Sequence, residues 1–282
     1  MLLCHAGRMS ADLAHLPVAL SRIGRVTGDP VVVLPGGPCR DPAYLGDLAG
    51  LGDTCPIVVL HPRGVPGSTD VSRGWWADAD DVIAVIDALG LEHAQVVAHS
   101  AGTRLALAAA TRFPGRIRSM ALITPPATWI TGTPHDGDSI PLDRTNPAVA
   151  AAIHALQEDD PATESEFTAA FLRQTPATYA HWSPVEQAHA TIGSVSLAAT
   201  SAWFTGIPAD AVEQVRAARI PPTLVIGGDR DYLTGVQPVR DYAAALGAEV
   251  AFIRDCGHYP WVEQPAEFRS VMRSWLSSAD VL

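Results

Sequence analysis

Six short runs of apolar, largely β-branched residues constrain the fold of this chain most strongly: residues 31–34, 57–60, 95–98, 120–123, 223–226 and 250–253. Their apolar character is continuous rather than alternating, the pattern of strands buried on both faces of a parallel sheet. Between the second and third runs, residues 78–89 put Val82, Val85, Ile86 and Leu89 at helical spacing, with Gly90 as a stop. Strand, helix, strand alternation predicts an α/β fold with a mostly parallel, doubly wound sheet. The alternation lapses between Pro125 and Pro221, where residues 146–157, 165–174 and 185–204 are patterned as helices. A core of residues 1–125 and 220–282 is therefore expected, with a helical cap, residues 126–219, inserted between two sheet strands. Its expected place is as a lid, because open α/β sheets bind ligands outside the carboxyl ends of their strands.

Composition removes several chemistries. All 19 basic residues are arginine. Without lysine there is no Schiff-base or pyridoxal-phosphate catalysis, no Walker A or kinase phosphate lysine, and no Ser-Lys hydrolysis. The 30 acidic residues leave a formal charge of -11 and no basic stretch, so neither nucleic acid nor an anionic membrane surface is an expected partner. No apolar run approaches the roughly 20 residues that span a bilayer. Met1-Leu2-Leu3-Cys4 has the look of a lipoprotein cleavage site, but no charged and apolar segment precedes it, so a cytoplasmic protein is expected. The four cysteines, Cys4, Cys39, Cys55 and Cys256, have neither metal-type nor redox-type spacing. No metal, cofactor or disulfide framework is expected.

The chemistry-bearing pattern is Ala98-His99-Ser100-Ala101-Gly102, with a strand before it and a helical segment after it. A sharp strand-to-helix turn needs small neighbours around the serine and presents its Oγ at the top of the sheet. The same turn aims the Ala101 amide and the helix N-terminus at a substrate oxygen. This architecture orders its partners as serine, acid, histidine, each after a strand. The run 223–226 leads to Gly227-Gly228-Asp229-Arg230-Asp231, and the run 250–253 leads to Cys256-Gly257-His258-Tyr259. Asp231, deeper in its loop, is preferred to Asp229 as the acid, and His258 is the expected base. The second oxyanion donor is expected after the run 31–34, from Gly37 with Gly36 in reserve, where glycine lets main-chain amides approach a ligand closely.

These residues resemble the α/β-hydrolase superfamily and, more narrowly, its proline-iminopeptidase-like branch. Leu34 to Cys39 is similar to that branch's His-Gly-Gly-Pro-Gly loop, and Pro62 to Ser68 to its Asp-Gln-Arg-Gly-x-Gly-x-Ser segment. Gly257-His258-Tyr259-Pro260-Trp261-Val262-Glu263-Gln264-Pro265 is similar to its histidine loop. The elbow departs from the branch's Gly-Gly-Ser-Trp-Gly. In the cap, Trp182-Ser183-Pro184-Val185-Glu186 resembles a Trp-Ser-x-Trp stretch followed by the glutamate that anchors a substrate amine, but lacks the second Trp. The resemblance implies serine-hydrolase chemistry, and Glu186 as a candidate amine anchor beside the alternative of a solvated helix glutamate.

Trp129, Tyr179, Trp182, Trp203 and Tyr259 are further candidates for lining the pocket. His99 is expected to pack beneath the elbow, and Arg104 to reach solvent or a structural carboxylate. Of the adjacent Trp75 and Trp76, only one is expected to face inward. Taken together, the residues predict a cofactor-independent serine hydrolase acting on an ester, lactone, thioester or amide through an acyl-enzyme. The expected partner is a small acyl molecule, neutral or amine-bearing. A biosynthetic cyclase, acyltransferase or lyase using the same triad, and a catalytically silent ligand-binding protein, are the alternatives.

Overall fold

The computed structural model describes residues 16–24, 27–68 and 70–279; the Met1 to Cys4 reading lies outside them. Seven strands, β1 (Ala19–Ile23), β2 (Val31–Leu34), β3 (Ile57–His61), β4 (Ala94–His99), β5 (Ile117–Ile123), β6 (Thr223–Gly228) and β7 (Glu249–Ile253), form one sheet in the order β1-β3-β2-β4-β5-β6-β7. Every pairing is parallel except β1 on β3. Each apolar run of the sequence is one of these strands. The strand without a run, β1, is an edge strand with every residue at least partly exposed, so it needs no continuous apolar stretch.

Alternate strand residues feed two cores, as the two-residue period requires. Val32, Leu34, Val58, Leu60, Val96 and Ala98 pack with α1 (Ala79–Ala88) and α2 (Gly102–Arg112). Val31, Val33, Ile57, Val59 and Val97 pack with Phe268, Met272 and Trp275 of α11 (Pro265–Ala279). Each fully buried aliphatic side chain contributes about 1.5–3 kcal/mol, so a one-residue slip of a central strand would exchange its two sets of partners.

Between β5 and β6 the described chain is helical: α3 (Thr128–Thr131), α4 (Pro147–Glu158), α5 (Glu164–Gln174), α6 (Pro184–Ala190), α7 (Leu197–Trp203) and α8 (Ala211–Ala217). Capping boxes open α5 at Thr163 with Glu166 and α6 at Ser183 with Glu186. The single helix expected over 185–204 is two, broken at residues 191–196. The break has a tertiary cause: Gly193 has φ 83° and passes so close to the chain after β2 that a Cβ there would lie 2.6 Å from the Asp41 carbonyl oxygen. Trp75 and Trp76 are both buried, their rings in edge contact at 5.6 Å, and Trp75 also meets the cap, its ring centre 5.4 Å from that of Trp129. They lie in a turn, not in a regular element, so the alternation that would separate their directions does not apply. The sheet is completed by α9 (Gln237–Leu246) after β6 and α10 (Pro260–Glu263) after β7. No helix of the described residues is long and apolar enough to cross a membrane.

Two close approaches set the loops at the strand ends. A Cβ on Gly102 would lie 2.4 Å from the Pro35 carbonyl oxygen and 2.6 Å from that of Leu34, so glycine lets the start of α2 rest on the loop leaving β2. A Cβ on Gly257 would lie 2.7 Å from both the Ala180 nitrogen and the Thr178 oxygen, so glycine there serves contact with the helical segment. Glu263 of α10 closes the same joint, accepting from the amides of Ala180, Gly257 and Tyr259 at 2.7, 2.9 and 3.1 Å. Burial pushes its carboxyl up to about 8, against the opposing pull of those three amides.

Two predictions follow from these contacts. Gly102→Ala should cost about 1–3 kcal/mol by overpacking against backbone that cannot move aside, read as a lowered melting temperature; an unchanged melting temperature would contradict the contact. Because Glu263 holds its proton in the folded chain up to about 8 and releases it near 4.5 when unfolded, its contribution to stability falls as pH rises between those values, by at most about 1.4 kcal/mol per unit. Urea unfolding across this range should show the slope, and Glu263→Gln should flatten it.

Candidate active site

Ser100 ends β4 with φ 49°, a left-handed backbone rare for a residue carrying Cβ. Its surroundings over-determine it. The Ser100 amide donates to the Ile123 carbonyl of β5 at 2.8 Å, while its own carbonyl accepts from the Thr103 hydroxyl at 2.6 Å and the Thr103 amide at 3.0 Å. Strain of this kind costs about 1–3 kcal/mol and persists only under such constraint. Ala101 begins α2, and its amide has no hydrogen-bond acceptor among the described residues.

Asp231 and His258, on the loops after β6 and β7, meet with His258 Nδ1 2.9 Å from Asp231 Oδ2. Both are buried, Asp231 completely. The carboxylate also accepts from the Leu233 amide at 2.9 Å, the Thr234 amide at 3.3 Å and the Thr234 hydroxyl, so its orientation is held independently of the imidazole. A carboxylate only accepts, hence Nδ1 carries the proton and Nε2 keeps its lone pair. Asp229 sits apart from this pair, accepting from the Cys256 amide at 3.3 Å. The His258 amide donates to the Thr178 carbonyl at 2.8 Å, and its carbonyl accepts from the Thr124 hydroxyl at 3.1 Å.

Tyr44 lies below the loop leaving β2 and is invisible as a site residue in the sequence, since its partners are 8 and 55 positions away. Its hydroxyl accepts from the Gly36 amide at 2.6 Å and lies 2.8 Å from His99 Nδ1. His99 Nε2 is 3.2 Å from the His258 carbonyl. A carbonyl only accepts, so Nε2 carries the proton and Tyr44 donates to Nδ1. Burial, then the neighbouring charges of His258, Arg40 and His189, hold His99 well below the ordinary imidazole value. With both nitrogens engaged and no tendency to protonate, His99 links the two loops. The Gly36 amide is occupied by Tyr44, whereas the Gly37 amide, at φ 76°, has no acceptor among the described residues.

The candidate lining residues separate into two groups. Tyr179, Trp182 and Tyr259 gather beside His258, with the Tyr179 and Tyr259 ring centres 4.9 Å apart and Trp182 5.6 Å from Tyr179. Trp129 and Trp203 belong instead to the core around Trp75. Arg104 is partly exposed and has no carboxylate partner among the described residues: it stacks 4.6 Å from the Trp129 ring centre, and burial pulls its guanidinium down to about 10. Glu186 is buried, not solvated, and its Oε2 accepts from the Ser183 amide at 2.9 Å. That capping role was readable from Ser-Pro-Val-Glu, the signature of a capping box. Cys39 and Cys256 are free thiols, and burial raises Cys39 to about 12. A cation lies beside these residues as well: Arg40, three residues after Gly37, is 1% exposed and donates to the Tyr259 hydroxyl at 3.1 Å.

The chain is 27% identical over 219 residues to a 2-hydroxymuconate semialdehyde hydrolase of Pseudomonas sp. (strain CF600), covering 76% of this chain and 72% of that one. It is 24% identical over 285 residues to a proline iminopeptidase of Heyndrickxia coagulans, covering 89% and 91%. Among solved structures, a thermophilic esterase from Thermogutta terrifontis superposes with a TM-score of 0.66 at 19% identity, over 93% of each chain. Residues 29–265 match the family described as alpha/beta hydrolase fold. The chain belongs to the α/β-hydrolase family.

Proposed function

We propose that the protein is a serine hydrolase that cleaves an ester, lactone, thioester or amide through an acyl-enzyme on Ser100. The carrying observation is the buried Asp231 to His258 hydrogen bond, set beside a serine whose backbone is held in the left-handed region. The relatives named as a hydrolase, an iminopeptidase and an esterase support the same chemistry.

In this reading the free Nε2 of His258 removes the Ser100 proton as Oγ attacks the acyl carbon. Asp231 fixes the tautomer and stabilises the imidazolium. The developing oxyanion is met by the amides of Ala101 and Gly37, which have no acceptor of their own among the described residues, and by the N-terminal end of α2. Gly36 supports the loop through Tyr44 and is not a donor. His258 then gives its proton to the leaving group, the leaving group departs, and a water deprotonated by His258 releases the acid. His99 is excluded as the base because both its nitrogens are hydrogen bonded within the protein. The helical segment between β5 and β6 acts as the lid, reaching the histidine loop through Thr178 and Ala180.

Ser100→Ala should abolish both turnover of acyl substrates and labelling by a fluorophosphonate while leaving the melting curve in place; retained turnover would overturn the assignment. Asp231→Asn should slow fluorophosphonate labelling and lower kcat by about ten-thousand-fold, the effect of holding the wrong tautomer. A drop of less than tenfold in steady-state assays would remove Asp231 from the mechanism. Products heavier by one water than the substrate identify hydrolysis as the outcome.

A further inference from the structure

Two arginines of the described chain are buried, and they are treated in opposite ways. Arg63, 8% exposed, faces three aspartates. Its Nε and Nη2 bind the two oxygens of Asp81 at 2.6 and 2.8 Å, its Nη1 binds Asp70 at 2.8 Å, and Asp78 lies 3.6 Å from Nε. Arg40, 1% exposed, has no carboxylate of the described residues within salt-bridge distance. Its Nη1 donates to the Tyr259 hydroxyl, its Nη2 to the Ile192 carbonyl, and its Nε has no partner. Its guanidinium carbon lies 4.4 Å from the Tyr44 ring centre and 5.0 Å from that of Phe171. A buried cation left without an anion is costly, and phenol, carbonyl and ring faces offset only part of that cost.

The position of Arg40 gives this imbalance a direction. Its Cβ is 2.7 Å from where a Cβ on Gly37 would stand, and Tyr259, which it binds, follows His258. Phe171 and Ile192 belong to the helical segment on its other side. The guanidinium thus lies between the oxyanion loop, the histidine loop and the cap. The edge formed by Nε and Nη2, which in Arg63 grips both oxygens of Asp81, holds in Arg40 one main-chain carbonyl and an empty Nε. That edge matches a planar, two-oxygen anion better than a tetrahedral one.

We propose that the Nε and Nη2 edge of Arg40 binds a carboxylate carried by the substrate, displacing the Ile192 carbonyl of the 191–196 loop. The carboxylate is a second group, distinct from the acyl carbon that Ser100 attacks, so the proposal rests on the serine-hydrolase reading for its role while the binding itself does not. It replaces the expectation of a neutral or amine-bearing substrate with an anionic one.

The test is calorimetric titration of the wild-type protein with straight-chain carboxylates from butanoate to octanoate and with their neutral amides, alongside protection of Ser100 from a fluorophosphonate. At least one carboxylate should bind tenfold or more tightly than its amide and slow labelling. Arg40→Met should erase that preference, and Arg40→Lys, which keeps the charge but lacks the two-donor edge, should restore it only in part. Equal binding of acid and amide, no binding of either, or an undiminished preference in Arg40→Met would overturn the proposal. Should Arg40→Met fail to fold, the wild-type comparison of acid with amide decides alone. Selective carboxylate binding by a protein that never labels at Ser100 would instead sink the hydrolase reading and leave the carboxylate site standing.

Discussion

The contact at Gly102 is the one on which the site depends. There the first residue of α2 rests against the carbonyls of Leu34 and Pro35 at a separation that excludes any Cβ. Because β2 and β4 are neighbours in the sheet, this approach brings the loop after one strand beside the turn after the other. Gly36, where a Cβ would lie 2.7 Å from that of Ser100, meets the serine for that reason, not through any bond between them. The left-handed backbone at Ser100 follows from the same crowding, since the chain must reverse from strand to helix within a residue or two.

Electrostatics divides the interior into matched and unmatched charge. Arg63 with its three aspartates is a closed unit tied to the start of α1. Around His258 the pattern is different. His99 and His189 are held neutral, each with Arg40 among the charges lowering it, and the tyrosine hydroxyls of Tyr44 and Tyr179 each serve one of these rings. Within this network of neutral groups that accept and donate, the charges of Arg40 and Asp231 both act on Tyr259, in opposite directions.

Legibility in the sequence followed burial. Strands buried on both faces announce themselves as apolar runs, and so does β7, an edge strand with only Ile253 buried, whereas β1, with every residue at least partly exposed, does not. Strand order placed Ser100, Asp231 and His258 on loops at one end of the sheet, and the structure brings Asp231 and His258 into contact. What escaped depends on partners distant in sequence. The break before α7 is imposed by Asp41 against Gly193, Tyr44 acquires its role only by meeting Gly36 and His99, and Arg40 is unusual only because no acid is near it. The cap aromatics read as one lining divide between two cores, since similar side chains carry no mark of which neighbours they will meet. The capping role of Glu186 is legible in Ser183-Pro184-Val185-Glu186 itself.

Glu263 binds one amide of the helical segment and two of the histidine loop with the same carboxyl group. The consequence is one of modularity. Helices inserted between β5 and β6 could in principle be exchanged wholesale to change what enters the site, but a replacement lacking the amide at position 180 would unseat the loop that carries the imidazole. Specificity and reactivity are therefore inherited together here, and a grafted cap must bring its own strut for His258.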